Sequence, residues 1–296
     1  MQTTTMNRAA LPHAPLAAIG FVLLAYCIAP LMDGAAKWLS TDLPVLQIVW
    51  ARYFFHLLTV LPVVLWRHGI NALWPANVGA QVLRSGLMVG STVVFFTSIA
   101  YMPLADAIAL VFVYPVIVTA LSPKFLGEAV DARRWIAVGM GLVGSMIILR
   151  PGGDVLGWPA LLALSAGSIF AFYMLMTRRI AGTAPPLVTL AFTAALGAIL
   201  MTALMPVVWV SPEPGHWPIL IGLGLFSATG HLLLIVAYER APAPVLAPFA
   251  YFEILGSTAV GLALFGDFPD AMTWVGIVVL IAAGLYISVR EYMANR

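Results

Sequence analysis

The chain has 296 residues, of which 62% are hydrophobic and only 9% charged, and its mean hydropathy is +1.01. A soluble domain carries about 25% charged and 45–50% apolar residues, so water cannot solvate most of this surface and lipid must. The net charge of +2 points to no nucleic-acid partner, and the single cysteine, Cys27, cannot form a disulfide within the chain and reads as a small hydrophobe in an apolar run.

Ten apolar stretches match the roughly 20 residues that a spanning helix needs: about 15–37, 44–66, 78–100, 104–122, 131–149, 157–177, 186–209, 217–238, 244–265 and 271–290. The first follows Arg8, contains Pro30 and Asp33 and lacks a clean small-residue cleavage site, so it reads as a retained helix rather than a signal peptide. The second carries Arg52 and His56 one helical turn apart, and the third carries Arg84 near one end. Asp106 opens the fourth, which continues to Tyr114 and Pro115. The fifth holds Gly139, Gly141 and Gly144, the sixth Phe170 and Tyr173, and the eighth His231. Pro248, Tyr251 and Glu253 lie in the ninth, and Gly276 and Gly284 in the tenth. Connections are too short to hold a soluble domain. The glycines of the fifth and tenth stretches read as sites of close helix packing.

Lysine and arginine set the orientation. With the N-terminus in the cytoplasm, the cytoplasmic segments hold Arg8, Arg67, Lys124, Arg133, Arg134, Arg178, Arg179, Arg240, Arg290 and Arg296, and the opposite side holds Lys37 and Arg150. Both termini are therefore expected in the cytoplasm, with an even number of spans.

Self-similarity divides the chain. Tyr101 and Tyr114 are 13 residues apart, as are Tyr238 and Tyr251. Gly127-Glu128, Asp131 and Trp135 follow the first pair, and Gly266-Asp267, Asp270 and Trp274 follow the second with the same spacing from acid to Asp to Trp. This series predicts two five-helix repeats, residues 1–150 and 151–296. Five is odd, so the copies insert with opposite orientation. Such inverted halves can exchange conformations, a physical route to alternating access.

Six elements carry a resemblance: Asp33-Gly-Ala-Ala-Lys37, Gln47-Ile-Val-Trp-Ala-Arg52, Pro103-Leu-Ala-Asp106, Leu126-Gly-Glu128, Arg133-Arg-Trp135 and Arg150-Pro-Gly152. Together they resemble the drug/metabolite transporter superfamily, and within it the EamA-type ten-helix branch. The match is clearest in the first half; in the second, Gly266-Asp267 stands for the usual Gly-Glu and no arginine matches Arg52. The resemblance implies inner-membrane carriers, often exporters of amino acids and other metabolites. It further implies a basket of ten helices around a central cavity, with the fourth and ninth lining it and the fifth and tenth further out. Within the branch the chain looks most similar to aromatic amino acid exporters, with S-adenosylmethionine carriers of the same superfamily as the competing reading.

Charges inside the membrane should face protein or water, because a lipid-facing charge costs about 2.5–3.5 kcal/mol on insertion scales. Arg52 lies about 12 Å from the outer end of its helix by the rise per residue. Asp33 and Asp106 share that outer half, so either could form a structural ion pair with it; alternatively Arg52 receives a substrate carboxylate, which its planar fork matches. Arg84 can snorkel toward headgroups or pair with Glu128. Glu253 lies about 14 Å into the ninth stretch, where its repeat mate is Val116; it can carry a proton, bind a substrate ammonium or serve as a hydrogen-bonded structural group. His56 and His231 are packing residues, proton relays or polar anchors. Phe95, Tyr114, Phe170, Tyr173 and Tyr251 could form a cavity wall suited to flat side chains, or could be ordinary helix packing. Pro115 and Pro248 can free backbone carbonyls and act as hinges in both repeats.

No HExxH, no Cys/His cluster and no Walker-type loop is present, so neither metal chemistry, an enzyme's active site nor a cofactor is indicated. The expectation is a multi-pass, all-α carrier in a bacterial cytoplasmic (inner) membrane, monomeric because the duplication supplies both halves. It would export small-molecule substrates, aromatic or large neutral amino acids, by alternating access. Another metabolite such as S-adenosylmethionine or a nucleoside is the alternative substrate, and a channel or intramembrane protease the alternative class.

Overall fold

A computed structural model describes residues 16–75, 77–127, 132–149, 157–241 and 246–294. The described residues form eleven α-helices joined by short turns, with no strand among them. These are α1 Leu16–Leu39, α2 Val45–His68, α3 Val78–Ile99, α4 Leu104–Val111, α5 Tyr114–Leu126, α6 Ala132–Leu149, α7 Trp158–Arg179, α8 Pro186–Val208, α9 His216–Tyr238, α10 Phe252–Phe265 and α11 Ala271–Ala294. Short 3-10 turns occupy Ile70–Leu73 and Ala247–Tyr251. Seven spans are long and apolar enough to cross a bilayer, with α4 and α5 counted as one; shorter apolar helices run Trp135–Leu149, Phe249–Phe265 and Ala271–Tyr286.

Two of the expected spans are not continuous α-helices. The fourth breaks at Phe112 and Val113, and the ninth begins as the 3-10 turn before α10. Pro115 explains the first break. It sits in the first turn of α5, where its missing N–H is tolerated, yet it denies the Val111 carbonyl its donor four residues on. Pro248 likewise stands in the first positions of its 3-10 turn rather than inside an α-helix. The two prolines therefore start half-helices instead of kinking continuous ones. The half-helices end alike: Gly127 after α5 and Gly266 after α10 have φ of 71° and 72°. Only glycine adopts that left-handed cap without strain, and the Asp267 N–H bonds back to the Gly261 carbonyl at 3.1 Å.

The exterior shows which solvent the fold expects. Leu24, Leu58, Leu83, Leu161, Ile199, Leu225 and Leu262 all point outward, while Asp33, Gln47, Arg52, His56, Gln81 and Arg84 are buried. That distribution suits a lipid surround, in which apolar side chains need no shelter. Cys27 is on the exposed surface, not in the core.

Packing follows a regular scheme. α3 packs on α7 and α8, α1 packs on α9 and α10, and α2 packs on α8 and α9. α4 and α5 lie against α7, α4 meets α10, and α6 pairs with α11 at the periphery. Exchanging α1 through α6 with α7 through α11, with α4 and α5 standing for the ninth span, maps this scheme onto itself. Small residues permit the closest approaches. A Cβ on Gly144 would lie 3.0 Å from the Gly276 carbonyl oxygen, and one on Gly276 would lie 2.8 Å from that of Gly144, so the α6–α11 seam has no room for a side chain.

One end of the bundle carries the exposed Arg67, Lys124, Arg178, Arg179 and Arg240. At the opposite end, polar bridges join the helices. The Lys37 Nζ donates to the Met102 carbonyl at 2.8 Å and to Asp267 Oδ2 at 3.1 Å. Gln47 donates to the Val210 carbonyl at 2.8 Å and accepts from the Val210 N–H at 2.9 Å. Ser98 donates to the Pro159 carbonyl at 2.8 Å.

Candidate functional site

Polar stripes on three helices meet in the bundle interior. On α3, Gln81, Arg84, Ser85, Met88, Thr92 and Phe95 recur at helical spacing and so lie along one face. On α9, Ser227, His231, Leu234 and Tyr238 do the same. On α2, Arg52, Tyr53 and His56 face them. Between these faces lie two chambers of about 490 and 350 Å3. Both are lined by Arg52, Met88, Tyr173, Ser227 and His231.

The larger chamber extends to the turn between α7 and α8 and to the end of α9, at the arginine-rich end, where Ala181, Gly182, Pro186 and Glu239 line it. The smaller lies at mid-bundle, bounded by Tyr26, Asp33, Phe95, Tyr114, Phe170 and Glu253. Tyr114 and Phe170 meet edge to face at 5.0 Å, and Phe170 stacks on Tyr173 at 5.4 Å. Among the described residues, none of those lining either chamber comes from α6 or α11.

Arg52 is held by hydroxyls. Its Nη1 donates to Thr92 Oγ1 at 2.9 Å and its Nε to Ser227 Oγ at 3.3 Å. Thr92 donates in turn to the Met88 carbonyl at 2.9 Å, so it accepts from Arg52 and from the Tyr53 hydroxyl. Among the described residues no salt bridge joins Arg52 to Asp33, although both line the mid-bundle chamber. Depth along the helices matched, but the azimuth of Arg52 turns it toward α3 and α9. Asp33 is buried in the wall of the mid-bundle chamber, and Asp106 is buried in the first turn of α4.

Arg84 is likewise not a snorkelling residue. It is 3% exposed, and its donors reach Gln81 at 3.2 Å, the Tyr173 hydroxyl at 3.1 Å, the Thr189 carbonyl at 2.8 Å and Thr193 at 2.6 Å. Its expected partner Glu128 lies outside the described residues. Arg84 thus ties α3 to α7 and α8 and lines the larger chamber, a role its position near a helix end did not suggest. The polar stripe it shares with Gln81, Ser85 and Thr92 is the sequence signal that pointed there.

The histidines are neighbours, with ring centroids 5.6 Å apart. His56 Nδ1 lies 3.0 Å from Ser227 Oγ, and His231 Nδ1 lies 2.7 Å from the Ser227 carbonyl. His56 Nε2 is buried without a hydrogen-bond partner among the described residues.

Of the expected aromatic wall, Phe95, Tyr114, Phe170 and Tyr173 line the mid-bundle chamber. Tyr251 lines neither chamber. It packs against Phe112 at 5.2 Å and turns its hydroxyl toward Gly284 of α11, where a Cβ would collide with it. Residue 251 ends the 3-10 turn, and its side chain is buried in the core between Phe112 and α11 rather than in a chamber. Pro115 follows Tyr114 at the break, and the side chain of Pro248 lies outside the described residues. Among the described residues no group of three His, Cys, Asp or Glu side chains could hold a metal ion.

The family model described as the EamA-like transporter family matches residues 16–150 and again residues 157–290. An S-adenosylmethionine uptake transporter of Rickettsia felis is 25% identical over 279 residues, covering 94% of this chain and 95% of its own. A riboflavin transporter of Brucella anthropi is 27% identical over 274 residues, covering 88% and 95%. A pseudopaline exporter of Pseudomonas aeruginosa is 25% identical over 269 residues, covering 87% and 90%. One solved crystal structure superposes with a TM-score of 0.67 at 18% identity, over 97% of this chain and 100% of the other, and shows the likeness of fold.

Proposed function

The chain belongs to the EamA-like transporter family and is a multi-pass membrane transporter, and we propose that it carries an amino acid or an amino-acid-derived metabolite by alternating access. The observation that supports this reading is the shape of the interior. A pair of chambers runs from the arginine-rich end to mid-bundle, and polar bridges from Lys37, Gln47 and Ser98 hold the other end closed. By the distribution of lysine and arginine, the arginine-rich end is cytoplasmic, which makes this the inward-facing state of a protein in the bacterial inner membrane with both termini inside.

Two further features favour a carrier over a channel. The helix packing maps onto itself when the halves are exchanged, and the family model matches each half separately. Inverted repeats in residues 1–150 and 151–296 account for both, and they supply a second conformation in which the roles of the two halves are exchanged. The breaks at Phe112–Val113 and before Phe252 fall at equivalent places in the two copies and are the natural hinges, with Pro115 and Pro248 setting them. Substrate enters from the arginine-rich end, its ring lies against Phe95, Tyr114, Phe170 and Tyr173, and its polar groups meet Arg52, His56, His231 and Glu253. Direction of flux follows the solute gradient.

The relatives named above carry S-adenosylmethionine, riboflavin and pseudopaline. Of these, S-adenosylmethionine shares amino-acid character with the aromatic amino acids that the cavity wall suits. The test is counterflow into proteoliposomes with tryptophan, phenylalanine, S-adenosylmethionine, riboflavin and adenosine. Saturable uptake of tryptophan, phenylalanine or S-adenosylmethionine, accelerated by the same unlabelled solute inside, is expected. Flux that rises linearly with concentration, without acceleration, would replace the carrier by a channel.

A further inference from the structure

In the chambers, opposite charges face one another without direct contact. Asp33 is 4% exposed and lines the mid-bundle chamber, yet among the described residues it makes no hydrogen bond and no ion pair. Glu253, in the first turn of α10, faces the same chamber and also makes none. Arg52 stands at the junction of the chambers with only hydroxyl partners on Nε and Nη1, and its Nη2 bonds to no described residue. Arg84, in the larger chamber, is bonded solely to neutral acceptors. Buried ions are normally paired with each other, because an uncompensated one is strongly unfavourable. Here two acids and two guanidiniums line adjoining chambers, and among the described residues no salt bridge joins any of the four to an opposite charge. Ionisable groups held inside a membrane protein mark substrate or ion paths.

On the reading that the chain is a carrier of amino-acid-type metabolites, we infer that the cavity is polarised for a dipolar solute: its cationic group lies by Asp33 and Glu253 among Phe95, Tyr114 and Phe170, and its carboxylate lies at the free edge of Arg52. Each charge of the solute replaces a partner that the fold withholds. Aromatic faces add attraction for a cation, ammonium or sulfonium alike. The fork of Arg52 suits a carboxylate, and Thr92 and Ser227 already fix its orientation. The chamber volumes of about 350 and 490 Å3 lie in the range of small-molecule sites, which leaves space for a ring beside the charged ends. A ring solute without charges would leave Asp33, Glu253 and Arg52 unmatched, so the site selects against an uncharged flavin and for solutes that carry both a cation and a carboxylate, such as tryptophan or S-adenosylmethionine.

The test measures equilibrium binding to the full chain in lipid nanodiscs. The probes are tryptophan, tryptamine, indole-3-propionate, S-adenosylmethionine, its decarboxylated form and riboflavin. Tryptophan or S-adenosylmethionine should bind at least about tenfold tighter than its carboxylate-free analogue, and Arg52→Gln should erase that difference. Asp33→Asn should weaken every ammonium- or sulfonium-bearing probe at least about tenfold while leaving indole-3-propionate unchanged. Asp33→Glu, which keeps the charge, should recover part of the loss and exclude a folding defect. Equal weakening of all probes by Asp33→Asn, or riboflavin binding tighter than any dipolar probe, would overturn the inference and leave a carrier with a different substrate. Absence of counterflow for every solute would strike the carrier reading itself, so the two failures are distinguishable.

Discussion

At the scale of single residues, the buried arginines carry the clearest consequences. Arg84 joins three helices through Tyr173, Thr189 and Thr193. Hydrogen bonds from a charged donor contribute about 1.5–3 kcal/mol each, and removing the donor leaves its acceptors unsatisfied. Arg84→Ala should therefore lower stability by about 3 kcal/mol, measured by unfolding in detergent micelles. Arg84→Lys should restore only part of that, because an ammonium cannot span the acceptors that the planar fork reaches; full restoration would show that only the charge matters. How far such residues could be read in the sequence follows from what a helix reveals about itself. The depth of Arg52 and its need for a protein-lined or wet surround were legible from composition and rise per residue. Its partners were not, since Thr92 and Ser227 lie 40 and 175 residues away and only the packing of α2 on α3 and α9 brings them near. Tyr251 shows the same limit. Its spacing from Tyr238 places it in the repeat, but the direction of its side chain depends on a 3-10 turn whose α-helical alternative looks equally good in sequence.

At the scale of elements, the spans were legible because a run of about 20 apolar residues has few other uses, and the observed helices begin within a few residues of the expected places except in the ninth stretch. The breaks were harder to see. Phe112 and Val113 are apolar residues compatible with a helix, and the cause lies at Pro115 and across the interface. The Val111 carbonyl freed by Pro115 approaches Gly167 of α7 so closely that a Cβ there would sit 2.6 Å from it, so the small residue and the break fit each other. The bridged end of the bundle is also an element-scale device. Lys37 at the end of α1 spans the Met102 carbonyl and Asp267, the residue after the α10 cap. Asp267 is one-third exposed, and an exposed pair of this kind contributes about 0.2–1 kcal/mol. Lys37→Ala should therefore shift the closed end only partly toward opening. In a Cys27→Ser background with Met32→Cys as reporter in the mid-bundle chamber, labelling by an impermeant thiol reagent from the Lys37 side should rise up to about fivefold, the population ratio for 1 kcal/mol. An unchanged labelling rate would assign the closure to Gln47 and Ser98 instead.

At the scale of the whole molecule, the proposed exchange of halves rests on the packing scheme rather than on any one contact. The α6–α11 and α2–α8 contacts are each preserved on exchanging halves, so they can act as axes about which the rest rearranges. The contacts of α1 with α9 and of α3 with α7 are interchanged with one another, which lets one loosen as the other tightens. If the end bearing Lys37 must open once in each cycle, fixing it shut should separate binding from transport. Lys37→Cys with Asp267→Cys, in the Cys27→Ser background, places two thiols across the closure that the native pair bridges at 3.1 Å. A short reducible crosslinker between them should abolish counterflow in proteoliposomes while leaving binding from the arginine-rich end within about threefold of the uncrosslinked protein, since in the proposed inward-facing state the larger chamber reaches that end. Reduction of the linker should restore flux. Transport that survives the crosslink would mean that solute leaves by a route not closed by Lys37, and the exchange of halves could not be the motion that moves it.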